Sequence, residues 1–157
     1  MVAFYSGGRV DSAFGRARDK EQATVRCLTR IRALVADDSP DFRTVIVALL
    51  KMEDRIEVIA RVSDGREAIE AVALFLPDLI LMDVGLAELD GITTASILSH
   101  RFPALDVVLM SDKHSSRLRA TCQASGAKYF IHKPRFNEEF PQLFTQFKSL
   151  LQSHEPK

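Results

Sequence analysis

The strongest constraint in this sequence is an alternation: short apolar runs and helical stripes follow one another five times. Residues 31–36 form the first run, and residues 56–62, 79–82, 107–110 and 129–132 supply the others. Between them, apolar residues recur at i, i+3, i+4 and i+7, the spacing of one buried helix face. Phe42, Val45, Ile46, Leu49 and Leu50 make one such stripe, and Ala68, Ile69, Val72, Ala73 and Leu76 another. A third helix is expected near residues 92–101, a fourth over 115–125 with Gly126 as its cap, and the last carries Phe140, Leu143, Phe144, Phe147, Leu150 and Leu151 on one face. This order predicts an α/β fold: a parallel sheet with helices on both faces and right-handed crossovers. Ile56, Val58, Ala60 and Val62 alternate with Glu57 and Arg61, which marks a less deeply covered strand at the sheet edge. Pro141 is expected in the first turn of the last helix, since an interior proline costs about 3 kcal/mol.

Length and composition narrow the class. A chain of 157 residues suits one domain with a real core, and 46% hydrophobic with 27% charged residues is ordinary for a globular protein. The formal net charge is zero, so no global field argues for direct nucleic-acid binding. Cys27 and Cys122 are too few for a disulfide framework or a four-ligand zinc site, and a reducing cytoplasm is the simplest home. No apolar run reaches the roughly 20 residues of a membrane span, so no membrane association is expected. Residues 1–28 lack a sustained apolar period and read as a mobile N-terminal extension, with residues 19–28 able to form a short helix. A start codon placed too early, with the native chain beginning nearer Val25, is the alternative. The domain is expected over residues 29–152, followed by a polar tail at 153–157.

The strand ends carry the chemistry. An open α/β sheet binds ligands outside the carboxyl ends of its strands. Asp37-Asp38, Asp83, Ser111 and Lys133 each stand at such an end, on four different strands. Three carboxylates in one crevice repel one another unless a cation neutralises them, and Mg²⁺ answers that need with oxygen ligands and retained waters. Ser111 and Lys133 add a hydroxyl donor and a positive charge suited to phosphoryl oxygens. An Asp carboxylate can itself be the nucleophile. The bland alternatives are turn caps for the three acids and a solvated lysine before a proline for Lys133.

The acid pair, the strand-end Asp, the hydroxyl residue and Lys133-Pro134 occur in the order and spacing of a known family. The chain resembles the receiver domains of two-component response regulators over residues 31–151. The resemblance implies a five-stranded (βα)5 flavodoxin-like, CheY-like fold with strand order 2-1-3-4-5. It implies Asp83 as the phosphoacceptor, Asp38 as a direct Mg²⁺ ligand, Asp37 as an acid helping to hold that metal, and the Gly85 backbone carbonyl as a further ligand. Ser111 and Lys133 would hold the phosphoryl oxygens and couple them to the face built by the fourth helix, fifth strand and fifth helix. Phe130 occupies the aromatic switch position, with Tyr129 one residue too early. Implied partners are a sensor histidine kinase or phosphotransfer protein, a downstream protein or an absent output domain, and a second copy of the chain in a homodimer. Residues 55–69 look like receivers that precede a LuxR-type helix-turn-helix output. The 24 residues after Lys133 suffice for the final helix, so a stand-alone receiver and one trimmed from a longer regulator are both open.

Three positions depart from the family pattern. Ala87 replaces a common proline, Asp112 stands where a small residue usually lets the phosphoryl group enter, and His132 stands where an apolar strand residue is usual. His132 is either a hydrogen-bonded core histidine or a sign of altered packing. The expected function is therefore a phosphorylation-operated signalling switch that catalyses its own phosphorylation and dephosphorylation rather than a turnover enzyme. The alternative is a phosphate-independent pseudo-receiver serving as an interaction or dimerisation module. A metabolite phosphatase with an Asp nucleophile is disfavoured, because Gly85 stands where that chemistry needs a second Asp.

Overall fold

The structure is a computed structural model and describes residues 30–152. The expectations for residues 1–28, for Cys27 and for the tail at 153–157 lie outside the described residues. Strand β1 (Ile31–Ala36) is followed by helix α1 (Pro40–Lys51), β2 (Ile56–Val62), α2 (Gly65–Phe75), β3 (Leu79–Asp83), α3 (Gly91–Arg101), β4 (Asp106–Ser111), α4 (Ser116–Ala124) and β5 (Tyr129–His132). A 3₁₀ turn over Lys133–Arg135 then leads into α5 (Phe136–Gln152). The five strands are parallel in the order β2-β1-β3-β4-β5, as the resemblance implied. β2 lies at one edge, and its ladder with β1 slips by one residue at Ile59 between the pairs Ala33–Val58 and Leu34–Ala60.

Alternation along the strands divides the core in two. Leu79 and Leu81 of β3 join Ile46 and Leu50 of α1 and Phe140 and Phe144 of α5 on one face of the sheet. Ile80 and Met82 join Ala68 and Val72 of α2, Ala95 and Leu98 of α3 and Cys122 of α4 on the other. Every residue of β3 is buried, as a strand covered on both sides requires. The apolar run of residues 79–82 therefore fixes β3 at the centre, and its terminal Asp83 is delivered to the carboxyl edge.

The helix starts are set by local chemistry. The Ser39 hydroxyl caps α1 by accepting from Phe42 N–H, with Pro40 in the first turn. The side chains of Asp64, Asp90 and Ser115 cap α2, α3 and α4 in the same manner. Gly126, at φ +88°, turns the chain after α4 in a conformation that a side chain would strain.

Three expectations need correction. On α1, Val45 is 52% exposed while Val47 is buried, so the covered arc centres on Ile46, Val47 and Leu50. On α2, Ala73 and Leu76 are exposed and Ala71 is buried instead. Leu76 is the left-handed cap of that helix, and its carbonyl accepts a bond from Arg32 Nη1, so the side chain turns away from the stripe. Pro141 lies in the second turn of α5, because the helix begins at Phe136 directly after the 3₁₀ turn. Phe136, Phe140, Leu143, Phe144 and Phe147 are all buried against the sheet, and that apolar burial offsets the hydrogen bond which Pro141 cannot donate.

Candidate functional site

Register brings the strand-end residues together. Ala36 pairs with Met82, so Asp37 leaves β1 beside Asp83 at the end of β3. Asp83 pairs with Met110 and Ser111 with His132, which sets Ser111 and Lys133 along the same edge. Asp37, Asp38 and Asp83 each offer a carboxylate oxygen, and these atoms lie within 4.8 Å of one another. Asp37 and Asp83 are buried, while Asp38 opens to solvent.

Asp37 is held from several directions. Its Oδ1 accepts from Ser39 N–H at 2.9 Å, its backbone N–H donates to Val62 O, and its carbonyl accepts from Arg43 Nη1. Its Oδ2 is fully buried, and its contact there is the ion pair with Lys133 Nζ at 2.7 Å. Lys133 Nζ also stands 3.3 Å from Asp83 Oδ2 and 4.3 Å above the centroid of the Phe42 ring. One ammonium thus bridges two carboxylates and rests on an aromatic face.

The charges perturb one another. Burial pushes the Asp83 carboxyl above its ordinary value and the nearby Asp37 charge adds to this, while Lys133 and a hydrogen bond from the Gly85 backbone oppose it. For Lys133 burial favours the neutral amine, but the hydrogen bonds and charges of Asp37 and Asp83 together outweigh it and hold the ammonium above its ordinary value. Three carboxylates face one lysine, so the pocket keeps an uncompensated negative charge and a buried oxygen with spare acceptor capacity at Asp37 Oδ2. Hard oxygen donors with that excess charge fit a Mg²⁺ ion, which tolerates few protein ligands and keeps its waters.

The remaining candidates sit around this group. Ser111 is buried, and its Oγ accepts from Lys113 N–H at 3.1 Å. A Cβ added at Gly85 would meet Asp83 Oδ2 at 3.6 Å, an ordinary contact, so Gly85 lies directly beside the carboxylate. Phe130 is buried toward α4, with the Arg119 guanidinium 5.3 Å over its ring, whereas Tyr129 turns to the opposite face and meets the edge of Phe147. Phe42, read from the sequence only as helix core, is the aromatic floor beneath Lys133; its place in the first turn after Asp37-Asp38-Ser39-Pro40 was the available signal. Ala87 forms an isolated parallel bridge with Asp64, so the loop after β3 is tied to the start of α2 without a proline. His132 is half-buried and hydrogen-bonded, while His100 and His114 are exposed and His154 lies outside the described residues. Cys122 is a free, buried thiol whose pKa burial pushes up.

A doubly wound α/β domain with an acidic pocket and a buried lysine at the carboxyl edge of its sheet is the class defined so far. The chain belongs to the response regulator receiver domain family, whose model matches residues 33–145. It is 34% identical over 127 residues to the protein-glutamate methylesterase/protein-glutamine glutaminase 3 of Anaeromyxobacter dehalogenans, an alignment covering 76% of this chain and 37% of that protein. Among solved structures, the response regulator domain of Thermotoga maritima CheB is 27% identical with a TM-score of 0.69, covering 81% of this chain and 99% of that one. A LuxR-family response regulator from Aurantimonas sp. SI85-9A1, at 19% identity and a TM-score of 0.69 over 79% of this chain and 86% of that one, shares the fold. Among the described residues, no helix is long and apolar enough to cross a membrane.

Proposed function

We propose that this chain is a phosphorylation-operated switch in which Asp83 accepts a phosphoryl group from a sensor histidine kinase or phosphotransfer protein. The observation that carries this reading is the convergence of Asp37, Asp38 and Asp83 within 4.8 Å around a buried Lys133. An Asp83 carboxylate oxygen attacks phosphorus, and the bond from phosphorus to the donor nitrogen or acyl oxygen breaks with its electron pair leaving on the donor. Lys133, already held between Asp37 and Asp83, supplies fixed positive charge to the incoming oxygens. The Ser111 hydroxyl, whose oxygen is occupied by Lys113 N–H, retains its proton for donation to a phosphoryl oxygen.

Asp37, Asp38, Asp83 and the Gly85 carbonyl would hold Mg²⁺, with Asp37 acting in part through water. The ion, when bound, neutralises charge that develops on the transferring group. Hydrolysis of the acyl phosphate by water resets the switch, so the domain acts on itself rather than turning over a substrate. Its output is binding, with Ser111 and Phe130 relaying the state of Asp83 to the face built by α4, β5 and α5. That face would meet a downstream protein, an output domain or a second copy of the chain in the cytoplasm. The curated relatives are more than twice the length that this chain matches, so a fused output such as a methylesterase is part of the proposal.

Intact mass after incubation with Mg²⁺ and acetyl phosphate tests the reading, with Asp83→Ala as control. One phosphoryl group on the wild type and none on the variant is expected. No adduct, together with no Mg²⁺-dependent binding of beryllofluoride, would sink it in favour of a phosphate-independent interaction module, with Asp112 as the suspected obstruction.

A further inference from the structure

We infer that His132 is a positioning residue for phosphoryl transfer, a clamp that joins the loop carrying Ser111 to the strand carrying Lys133. The inference rests on the phosphoswitch reading and deepens it by naming what sets the Ser111 loop. His132 is the last residue of β5 and the register partner of Ser111, the last residue of β4. Its ring crosses the end of the ladder, with Nε2 2.9 Å from the backbone carbonyl of Asp112. A carbonyl only accepts, so Nε2 carries the proton and donates. The His132 backbone N–H in turn donates to Glu139 Oε2 on α5 at 3.1 Å, and the ring of His114 lies against it with centroids 5.2 Å apart. One residue thereby ties together the β4 loop, the end of β5 and α5.

The consequence falls on Ser111. The Asp112 carbonyl belongs to the same peptide group as the Lys113 N–H that donates to Ser111 Oγ, so fixing that carbonyl fixes the donor that holds the Ser111 side chain. Ser111 Oγ accepts from Lys113 N–H within that same loop, which leaves its O–H as the group free to point elsewhere. A released loop would let that turn open and would spread the hydroxyl over several rotamers. Lys133 follows His132 directly, so the two groups proposed to hold phosphoryl oxygens are set relative to each other by one side chain. An apolar residue at position 132 packs equally well in a strand but cannot make this bond.

The test compares the full chain with His132→Leu, which keeps apolar bulk, and His132→Gln, whose amide places an N–H donor close to the original Nε2. Beryllofluoride affinity in the presence of Mg²⁺ and the rate of adduct formation with acetyl phosphate are measured, with Mg²⁺ affinity alone by calorimetry as control. Loss of one hydrogen bond in a half-exposed setting corresponds to roughly a two- to tenfold change. His132→Leu is expected to weaken beryllofluoride binding and slow adduct formation by that factor, with Mg²⁺ affinity unchanged and His132→Gln restoring most of the loss. Amide hydrogen exchange at residues 112–114 should also speed up in His132→Leu, a readout that needs no phosphate. Wild-type values in His132→Leu, or equal losses in both variants, overturn the clamp while leaving the phosphoswitch standing. A wild type that takes up neither phosphoryl nor beryllofluoride overturns both.

Discussion

At the residue scale, the pocket is a set of charges that the fold holds at a cost. Burial raises the Asp83 pKa, so the ionised carboxylate is worse off in the folded state than in the unfolded chain. The sign follows: a raised folded pKa contributes stability present below the ordinary 3.8 and lost as pH rises through the folded value. Asp83→Asn is therefore expected to raise the melting temperature of the metal-free protein at pH 7, with the gain shrinking toward pH 4. A melting curve for the variant that lies below wild type at neutral pH would contradict the assignment. Lys133 behaves in the opposite sense. Its side chain is 5% exposed and pairs with the fully buried Asp37, so Lys133→Met leaves a buried carboxylate unpaired at a cost of about 3 kcal/mol. Urea denaturation should show this loss, and Mg²⁺ should recover part of it by taking over the role of the ammonium.

The residue types of this pocket are legible in the sequence, because four apolar runs each stop at a polar side chain. Their contacts are not. Phe42 satisfies the helical stripe of α1 and also floors Lys133, and periodicity reports only the first of these. His132 was recognised as out of place for a strand, but its partner is a backbone carbonyl at Asp112, twenty positions away across a parallel ladder. Backbone partners leave no trace in side-chain patterns.

At the element scale, boundaries were set by more than periodicity. Strand and helix types were legible from apolar spacing and caps, whereas the strand order came with the family resemblance, since alternation alone does not say which strand sits centrally. On α1 and α2 the buried arc is turned by about one position from the apolar stripe, taking in Val47 and Ala71, because periodicity gives a helix a face while packing against the sheet sets which edge of that face is covered. Pro141 shows tertiary packing overriding a local rule: five apolar side chains on α5 keep the helix intact through it. Pro141→Ala restores the N–H toward the carbonyl of Asn137, and a gain of roughly 1–3 kcal/mol is expected in chemical denaturation. Gly91 makes the complementary case. A Cβ there would collide with the backbone carbonyl oxygen of Asp83 and lie 2.9 Å from Val84 Cα. Gly91→Ala should therefore destabilise by about 1–3 kcal/mol and, by displacing Asp83, slow adduct formation with acetyl phosphate. Wild-type kinetics in a destabilised variant would separate the packing effect from the site.

At the scale of the whole molecule, site and fold are linked through one central strand. β3 is buried on both faces, pairs with β1 and β4, and carries Asp83 at its tip, so anything that binds the pocket acts on the core of the sheet. Ligands that favour the folded state raise its stability by mass action, about 2.7 kcal/mol at a hundredfold excess over Kd. For a chain of this size that corresponds to roughly 5–10 °C in melting temperature. Mg²⁺ with beryllofluoride is expected to produce a shift of this order in the wild type. Asp38→Asn should reduce the effect, because it removes the solvent-facing carboxylate of the cluster without unpairing Lys133. Differential scanning calorimetry of the two proteins, each with and without both ligands, makes the comparison. A wild-type melting temperature that does not depend on the ligands would mean that the acid cluster is part of the fold's electrostatics alone. A full shift in Asp38→Asn would place the cation on Asp37 and Asp83 without help from the exposed acid.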